Sequence, residues 1–251
     1  MYTARDLMES YTNTRSIISI ADKIVEDEQV EVKNINRDFL RTFAKVSGSH
    51  SDPSLQELLA RILAEEAGSP GRYPKRLLDI VDKMDSELID GLRPLLACFF
   101  RMEQLLCSGD LRELGEGLVI MANRNAYRNS YERAGVDFHC LAELESIGIL
   151  QIRTGFSSLL PLDRTSEVDP ETPTIIRVTG LVGAFDVEMK PESRDLPLGS
   201  IELSASGAKI LKALSSSENL DELSRLPLES FRSQAAGVGA VSEIENRRLE
   251  L

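Results

Sequence analysis

The chain has 251 residues, of which 42% are hydrophobic and 28% charged, so it can bury a core and is not disordered throughout. Its net charge of −12 disfavours nonspecific binding to nucleic acid or to an anionic membrane, because both need a positive field. The three cysteines are odd in number and widely spaced, which argues against a disulfide framework and against a zinc site.

The compartment follows from what the sequence lacks. No apolar run approaches the roughly 18 residues that a membrane-spanning helix needs. Residues 1–15 do not show the basic-then-apolar order of a signal peptide. We therefore expect a cytoplasmic protein with reduced thiols and no membrane contact.

The first segment, residues 1–35, is predicted to be a lead-in helix followed by an acidic linker. Ile17, Ala21 and Ile24 recur at helical spacing. The sequence EDEQVEVKN after them is polar and acidic, which is typical of a linker.

Residues 36–122 are predicted to form a helical bundle. Asn36 is suited to cap a helix that carries Phe39, Leu40 and Phe43 on one face. The most hydrophobic helix is predicted at residues 86–100, with Pro94 expected to kink it or split it in two, and we place it at the centre of the bundle.

The most informative stretch of this bundle is residues 52–84, DPSLQELLARILAEEAGSPGRYPKRLLDIVDKM. Asp52 and Pro53 fit the cap and the first turn of a helix. An apolar stripe at helical period then follows, made of Leu55, Leu58, Leu59, Ile62 and Leu63. The polar residues off this stripe are expected to face water, namely Gln56, Glu57, Arg61 and Glu65. A loop at residues 68–71 ends the helix, and a second amphipathic helix follows it.

The remainder of the chain is predicted to be a smaller winged-helix-like α+β domain at residues 123–232. A short helix capped by Asp137 precedes a strand at 149–153, and one or two strands with a glycine break follow at 175–189. A further strand ends near Leu203, and Ser204 begins a last helix. We expect residues 233–251 to form a weakly ordered tail. The predicted fold class is therefore α+β and mostly helical.

The stretch at 52–84 also resembles a recurrent bacterial pattern. The positions that match are Leu58, Ala60, Leu63, Ala64, Glu66, Pro70, Gly71, Arg76 and Leu77. They resemble the uncharacterised family called domain of unknown function 2806, although Leu59 stands where that family usually has Trp. The resemblance implies no catalytic residues, because the family has no established activity. It suggests an accessory bacterial protein, plausibly encoded near phage-defence loci.

Motifs of common catalytic and nucleotide-binding sites are missing from the sequence. There are two histidines, and no HExxH, CxxC, GxGxxG, Walker A or GxSxG spacing is present. His139 and Cys140 are adjacent and would point about 100° apart on a helix, so we interpret them as an exposed histidine beside a core cysteine. We therefore expect no catalytic residue, no cofactor and no metal ligand.

Two basic groups are candidate contact sites. The first is Arg72, Lys75 and Arg76, at the loop and the first turn of the second motif helix, where cations oppose the helix dipole. They are candidates for binding an anion or a protein partner. The alternative is structural, with Arg76 pairing with a glutamate such as Glu66 across the hairpin.

The second group is Arg124, Tyr127, Arg128 and Tyr131, where arginines and tyrosines each recur four residues apart. Such a face can contact phosphates and stack on bases. The alternative is that the tyrosines pack at the edge of the core. No Lys or Arg lies between Arg133 and Arg153, which disfavours nucleic-acid binding by the segment that would form a recognition helix.

Three hypotheses for function follow. The first is a non-enzymatic protein-interaction or scaffold subunit, with a protein partner or a second copy of the chain, plausibly an accessory component of a bacterial phage-defence assembly. The second is a nucleic-acid-binding regulator that uses the Arg/Tyr face. The third is an enzyme whose site is assembled from scattered acidic residues.

Overall fold

The computed structural model describes residues 3–106, 109–120, 131–153, 158–161, 174–190, 193, 195–216, 222–244 and 248–249. The α-helices in this part of the chain are α1 (Ala4–Asp27), α2 (Arg37–Ser49), α3 (Pro53–Gly68), α4 (Lys75–Val81), α5 (Ser86–Leu92), α6 (Phe138–Ser146), α7 (Ala205–Ser215) and α8 (Leu226–Ala235). The strands are β1 (Phe99–Leu105), β2 (Leu111–Leu118), β3 (Leu150–Ile152), β4 (Ser158–Pro161), β5 (Ile175–Gly180), β6 (Gly183–Met189), β7 (Asp195–Gly199), β8 (Ile201–Leu203) and β9 (Gly239–Ile244). An N-terminal helical region is followed by a region that contains the sheet, so the α+β class is confirmed.

The chain divides into two compact units that are each discontinuous in sequence. Unit 1 comprises Met1–Asp90, Ser146–Ile149 and Ala205–Glu218. Unit 2 comprises Gly91–Glu145, Leu150–Ser204 and Asn219–Leu251. The predicted continuous domains at 36–122 and 123–232 are therefore not the compact units of the structure. Long-range strand pairing moves residues 91–120 into the sheet unit, and the helix after Ser204 belongs to the helical unit.

Helix α3 is the central element of unit 1, with α1 and α7 packed against it. The predicted caps are confirmed, since the Asp52 side chain accepts hydrogen bonds from the first turn of α3 and Asn36 accepts one at the start of α2. The expectation that Gln56 and Arg61 face water is wrong, because both are buried.

Gln56 and Arg61 both have partners that compensate for lost water. The Gln56 amide donates to the carbonyl of His50 at 3.0 Å and accepts from the Ser16 hydroxyl at 2.9 Å. The Arg61 guanidinium pairs with Glu28 in the segment predicted to be a linker. Helix α3 is therefore buried beyond its apolar stripe. Its polar side chains can be buried there because they are hydrogen-bonded.

The predicted helix at 86–100 is split next to Pro94, as one of the two alternatives allowed, but the prediction is wrong from Phe99 onward. Helix α5 ends at Leu92, a 3₁₀-helix runs over Arg93–Cys98, and strand β1 begins at Phe99. Pro94 has no N–H to continue the α-helical ladder. Strand β1 pairs with β2 on one side and β5 on the other, and the side chains of Phe100 and Met102 face the core while Arg101 between them does not. The segment at 99–105 is apolar enough for a buried helix or a buried strand. Hydrogen bonding to a strand on each side favours the strand.

Unit 2 is built on a five-stranded antiparallel sheet in the order β2-β1-β5-β6-β9. One face carries the apolar core, in which the Phe231 ring of α8 lies 5.3 Å from that of Phe100 and 5.5 Å from that of Phe185. Elsewhere in the sheet, Arg177 and Asp186 form a two-pronged ion pair with both N···O distances at 2.9 Å.

The predicted strands at 175–189 and near Leu203 are confirmed as β5, β6 and β8, and β8 pairs with β3. The expectation of a weakly ordered tail at 233–251 is wrong for residues 239–244. These residues form β9 and pair with β6 in full register. The sequence of β9 is weakly patterned because a short outer strand needs few apolar residues of its own.

Within the described ranges, none of the helices is both long and apolar enough to cross a membrane.

Candidate functional site

The loop of the motif is closed around the carboxylate of Glu66. Glu66 lies on α3 with only 1% of its surface exposed. Its oxygens accept hydrogen bonds from the backbone N–H of Gly71 at 2.6 Å and of Tyr73 at 2.9 Å. Gly71 has a φ of +88°, a conformation that glycine adopts at little cost. The Pro–Gly loop of the motif therefore places two backbone N–H groups within hydrogen-bonding distance of one buried carboxylate.

This arrangement corrects the predicted pairing of Arg76 with Glu66. Glu66 is occupied by the backbone of the loop, and Arg76 is exposed on α4. The ion pair across the hairpin is formed instead by Arg72 and Glu65, whose Nη2 and Oε2 atoms are 2.9 Å apart. A carboxylate this deeply buried is better satisfied by short, rigid backbone donors than by a long side chain that loses rotamer entropy.

Tyr73 is the buried centre of this cluster. Its hydroxyl donates to Glu65 at 2.6 Å. The guanidinium of Arg72 lies 5.8 Å from the ring centre and the ammonium of Lys209 on α7 lies 6.0 Å from it. Lys209 also donates to the carbonyl of Arg72. The cluster thus links the motif loop to α7 within unit 1, with two cations at cation–π distance from one ring.

Replacing Tyr73 by phenylalanine is expected to make the stability of the protein less dependent on pH above about pH 10. Burial, the hydrogen bond to Glu65 and the charge of Glu65 raise the pKa of the Tyr73 hydroxyl above its ordinary value. The unfolded chain ionises at that ordinary value of about 10, so it loses the proton first. The contribution of Tyr73 is therefore complete below about pH 10 and decreases as the pH rises further.

The measurement is the free energy of unfolding of both proteins from about pH 8 to about pH 11, where the wild-type slope is expected to be steeper by up to one proton. Parallel slopes for the two proteins would show that the Tyr73 hydroxyl ionises as easily in the folded chain as in the unfolded one.

The other predicted basic residues of the motif lie at the start of α4. Lys75 Nζ is 3.2 Å from a carboxylate oxygen of Asp38, and Arg41 on the same helix as Asp38 is 3.8 Å from its other oxygen. Arg76 is exposed, and Arg72 is partly exposed. The structure thus places Arg72, Lys75 and Arg76 near the surface of unit 1, with two of them paired to acids.

Of the second predicted group, Arg124, Tyr127 and Arg128 lie outside the described residues. Tyr131 is fully buried. It therefore cannot stack on a base in this structure, and its predicted role as a nucleic-acid contact is wrong. The alternative, in which it packs in the core, agrees with its burial.

Among the residues that the structure describes, the remaining chemistry-bearing groups do not assemble a recognisable site. Ser49 donates to Asp82 at 3.1 Å and His50 lies 3.5 Å from the same carboxylate oxygen. Ser49 therefore donates to the carboxylate of Asp82 and not to His50. A nucleophilic serine is activated by donating to a base such as histidine, so this arrangement does not activate Ser49. Within the described part of the chain, no three His, Cys, Asp or Glu side chains are close enough to hold a metal ion. Burial raises the pKa of the Cys98 thiol, which keeps it protonated and unreactive.

Helix α1 carries a surface that the sequence reasoning missed. Ile17 and Ala21 of α1 are buried in unit 1, as the apolar spacing predicts. A second apolar group lies on a different face of the same helix and is exposed to solvent. It consists of Leu7, Met8, Tyr11 and Ile18, which are 62%, 66%, 63% and 43% exposed. We call these four residues the α1 stripe.

The signal for the α1 stripe was present in the sequence. Met8, Tyr11 and Ile18 lie one, four and eleven residues after Leu7. This spacing places all four side chains within about 100° of one another around the helix. The buried face that contains Ile17 and Ala21 borders the stripe, since Ala21 lies about 40° from Leu7 around the helix. Helix α1 thus carries a buried apolar face and, beside it, an exposed apolar face that the described part of the chain does not cover.

The fold and the site define an α+β protein whose helical unit is organised by a buried glutamate under a Pro–Gly loop. Residues 3–221 match the family described as "Protein of unknown function (DUF2806)", and the chain belongs to this family, as the resemblance of its motif indicated. No curated protein and no solved structure matches the chain at a significant level.

Proposed function

We propose that this protein is a non-enzymatic interaction or scaffold subunit and that the α1 stripe is its principal contact surface. The observation that carries the proposal is the exposure of four large apolar side chains on a helix whose other face is packed in the core. Contiguous exposed apolar surface is characteristic of protein–protein contact sites.

The composition of the stripe supports the same function. Tyr and Met are enriched in interfaces, where tyrosine provides large contact area at low conformational cost and methionine adapts to irregular surfaces. An amphipathic helix that offers such a face can bind a groove or another helix. The stripe is held in position, because α1 is fixed to α3 through Ile17 and Ala21.

The proposed setting is the bacterial cytoplasm, in an accessory component of a phage-defence assembly. This part of the proposal is supported by the motif at residues 52–84, which resembles an uncharacterised bacterial family. The order α6, β3 and β8, with β3 paired to β8, supports the narrower description of this part of unit 2 as winged-helix-like.

The test is co-expression of the tagged protein with the products of its neighbouring genes, followed by purification and identification of what co-purifies. Tyr11→Asp with Ile18→Asp is expected to reduce recovery of the partner at least tenfold, because each change places a charge in the interface. Leu40→Asp is the matched control, since Leu40 is 40% exposed on α2 and lies outside the stripe.

Equal recovery with the stripe variant and with the control would contradict a role for α1. A wild-type protein that neither self-associates nor recovers any of these gene products would contradict the proposed function as a whole.

A further inference from the structure

We propose that the α1 stripe binds the α1 stripe of a second copy of this chain, with the two helices antiparallel about a twofold axis near residue 13. The inference rests on the proposed function and names the partner of the same surface.

The position of the stripe on its helix fits a twofold contact. Leu7 and Met8 lie at one end and Ile18 at the other, with Tyr11 between them. An isologous contact must bring the same patch of both copies together. A twofold axis near residue 13 places Met8 opposite Ile18 of the second copy, so large apolar side chains meet at both ends of the contact.

The charges that interrupt the stripe favour the antiparallel direction. Arg15 and Asp22 continue the face of the stripe at helical spacing, and both are exposed. A parallel pair would place Arg15 beside Arg15 and Asp22 beside Asp22 of the second copy, which is repulsive. The antiparallel pair places Arg15 over the ring of Tyr11, where a cation–π contact can form.

The ends of the antiparallel pair are also complementary. Asp22 of one copy comes beside Ala4 and the exposed Arg5 of the other, at the positive end of its helix dipole. The carboxylate is therefore matched by a cation and by a helix N-terminus at the same time. The two helix dipoles are opposed along their length, which is favourable in an antiparallel pair.

The size of the contact indicates a weak and reversible dimer. Four apolar side chains from each copy bury less than the roughly 1,200–2,000 Å² of a standard stable interface. We therefore expect a concentration-dependent equilibrium and not an obligate dimer.

Sedimentation velocity over a concentration series is the first test. The wild-type chain is expected to shift from monomer towards dimer as its concentration rises. Tyr11→Asp with Ile18→Asp is expected to remain monomeric over the same series, while Leu40→Asp is expected to behave as the wild type does. Because the substituted side chains are exposed, far-UV circular dichroism of both variants should match that of the wild type.

Thiol cross-linking with a short bifunctional maleimide is the second test, and it reads the direction of the pair. In the antiparallel arrangement two copies of residue 15 are separated by about 6 Å along the axis and two copies of residue 4 by about 27 Å. Arg15→Cys is therefore expected to give a covalent dimer and Ala4→Cys to give none above the background of the parent chain. Cys98 and Cys140 are buried, which keeps the background from these two thiols low.

Because a parallel pair would bring two copies of either residue together, a covalent dimer from Ala4→Cys as abundant as that from Arg15→Cys would overturn the antiparallel arrangement. A wild-type chain that is monomeric at every concentration would overturn the inference altogether. If that monomer still recovers a neighbouring gene product through the stripe, the proposed function stands and only the identity of the partner is wrong. If it recovers none, both fail.

Discussion

Replacing Glu66 by alanine is expected to lower the free energy of unfolding by about 2–3 kcal/mol. The carboxylate holds the loop of the motif through the N–H groups of Gly71 and Tyr73, at 2.6 and 2.9 Å. Removing it leaves the buried N–H of Tyr73 without its acceptor, which costs the desolvation of that group in addition to the lost bonds. The change also opens a cavity beneath the loop.

Urea denaturation followed by far-UV circular dichroism measures this effect, since the chain has no tryptophan to report on unfolding. Glu57→Ala is the control, because Glu57 is an exposed glutamate on the same helix. It is expected to change the stability by no more than about 0.5 kcal/mol. The stability of Glu66→Gln is expected to lie between those of Glu66→Ala and Glu57→Ala, because the glutamine amide keeps one acceptor oxygen. Equal stability of the Glu66→Ala and Glu57→Ala proteins would show that the loop does not depend on the buried carboxylate.

Replacing Phe231 by alanine is expected to lower the free energy of unfolding by about 3–5 kcal/mol, the larger of the two effects. Phe231 is fully buried between α8 and the sheet, with the rings of Phe100 and Phe185 at 5.3 and 5.5 Å. The change removes a large apolar side chain and two aromatic contacts. It also loosens the packing of α8 against the sheet, because the Phe231 ring contacts Phe100 on β1 and Phe185 on β6.

Hydrogen exchange identifies where this loss occurs. The amides of β6 and β9 are expected to lose protection in Phe231→Ala, together with the global loss measured by urea denaturation. Ser233→Ala is the control, since Ser233 is exposed on the same helix, and it should leave both measurements within about 0.5 kcal/mol of the wild type. A loss of less than about 1 kcal/mol in Phe231→Ala would contradict the assignment of this residue to the centre of the core of unit 2.

The candidate site could be predicted only in part, and the reason lies in the range of the interactions. The hairpin at 52–84, its capping residues and its Pro–Gly loop follow from neighbours in sequence, and these were predicted. The hydrogen-bond partners of Glu66 were not predicted, because a glutamate carboxylate can pair with any nearby cation or N–H group. The sequence does not show whether the partner of Glu66 is a lysine, an arginine or a backbone N–H group. The folded loop shows that the partners are the backbone N–H groups of Gly71 and Tyr73.

The α1 stripe shows the opposite case. Its residues are visible at helical spacing in the sequence, yet a helix with apolar residues on two faces could equally be buried on both. Only the exposure of Leu7, Met8 and Tyr11 in the folded unit shows that one face has no partner in the part of the chain that the structure describes. The stripe therefore becomes a candidate contact surface only when the tertiary structure is known.

Local patterns by themselves determined the α+β class, the caps of α2 and α3, the strand character of residues 175–189, and membership of the family. The physical reason is that capping, helical period and β-branched runs act over a few residues. The tertiary structure alone decided that residues 99–105 form a strand, that 239–244 complete the sheet, and that α3 and not the segment at 86–100 is central. Each of these depends on partners that lie far apart in the sequence, where pairing and burial outweigh local propensity.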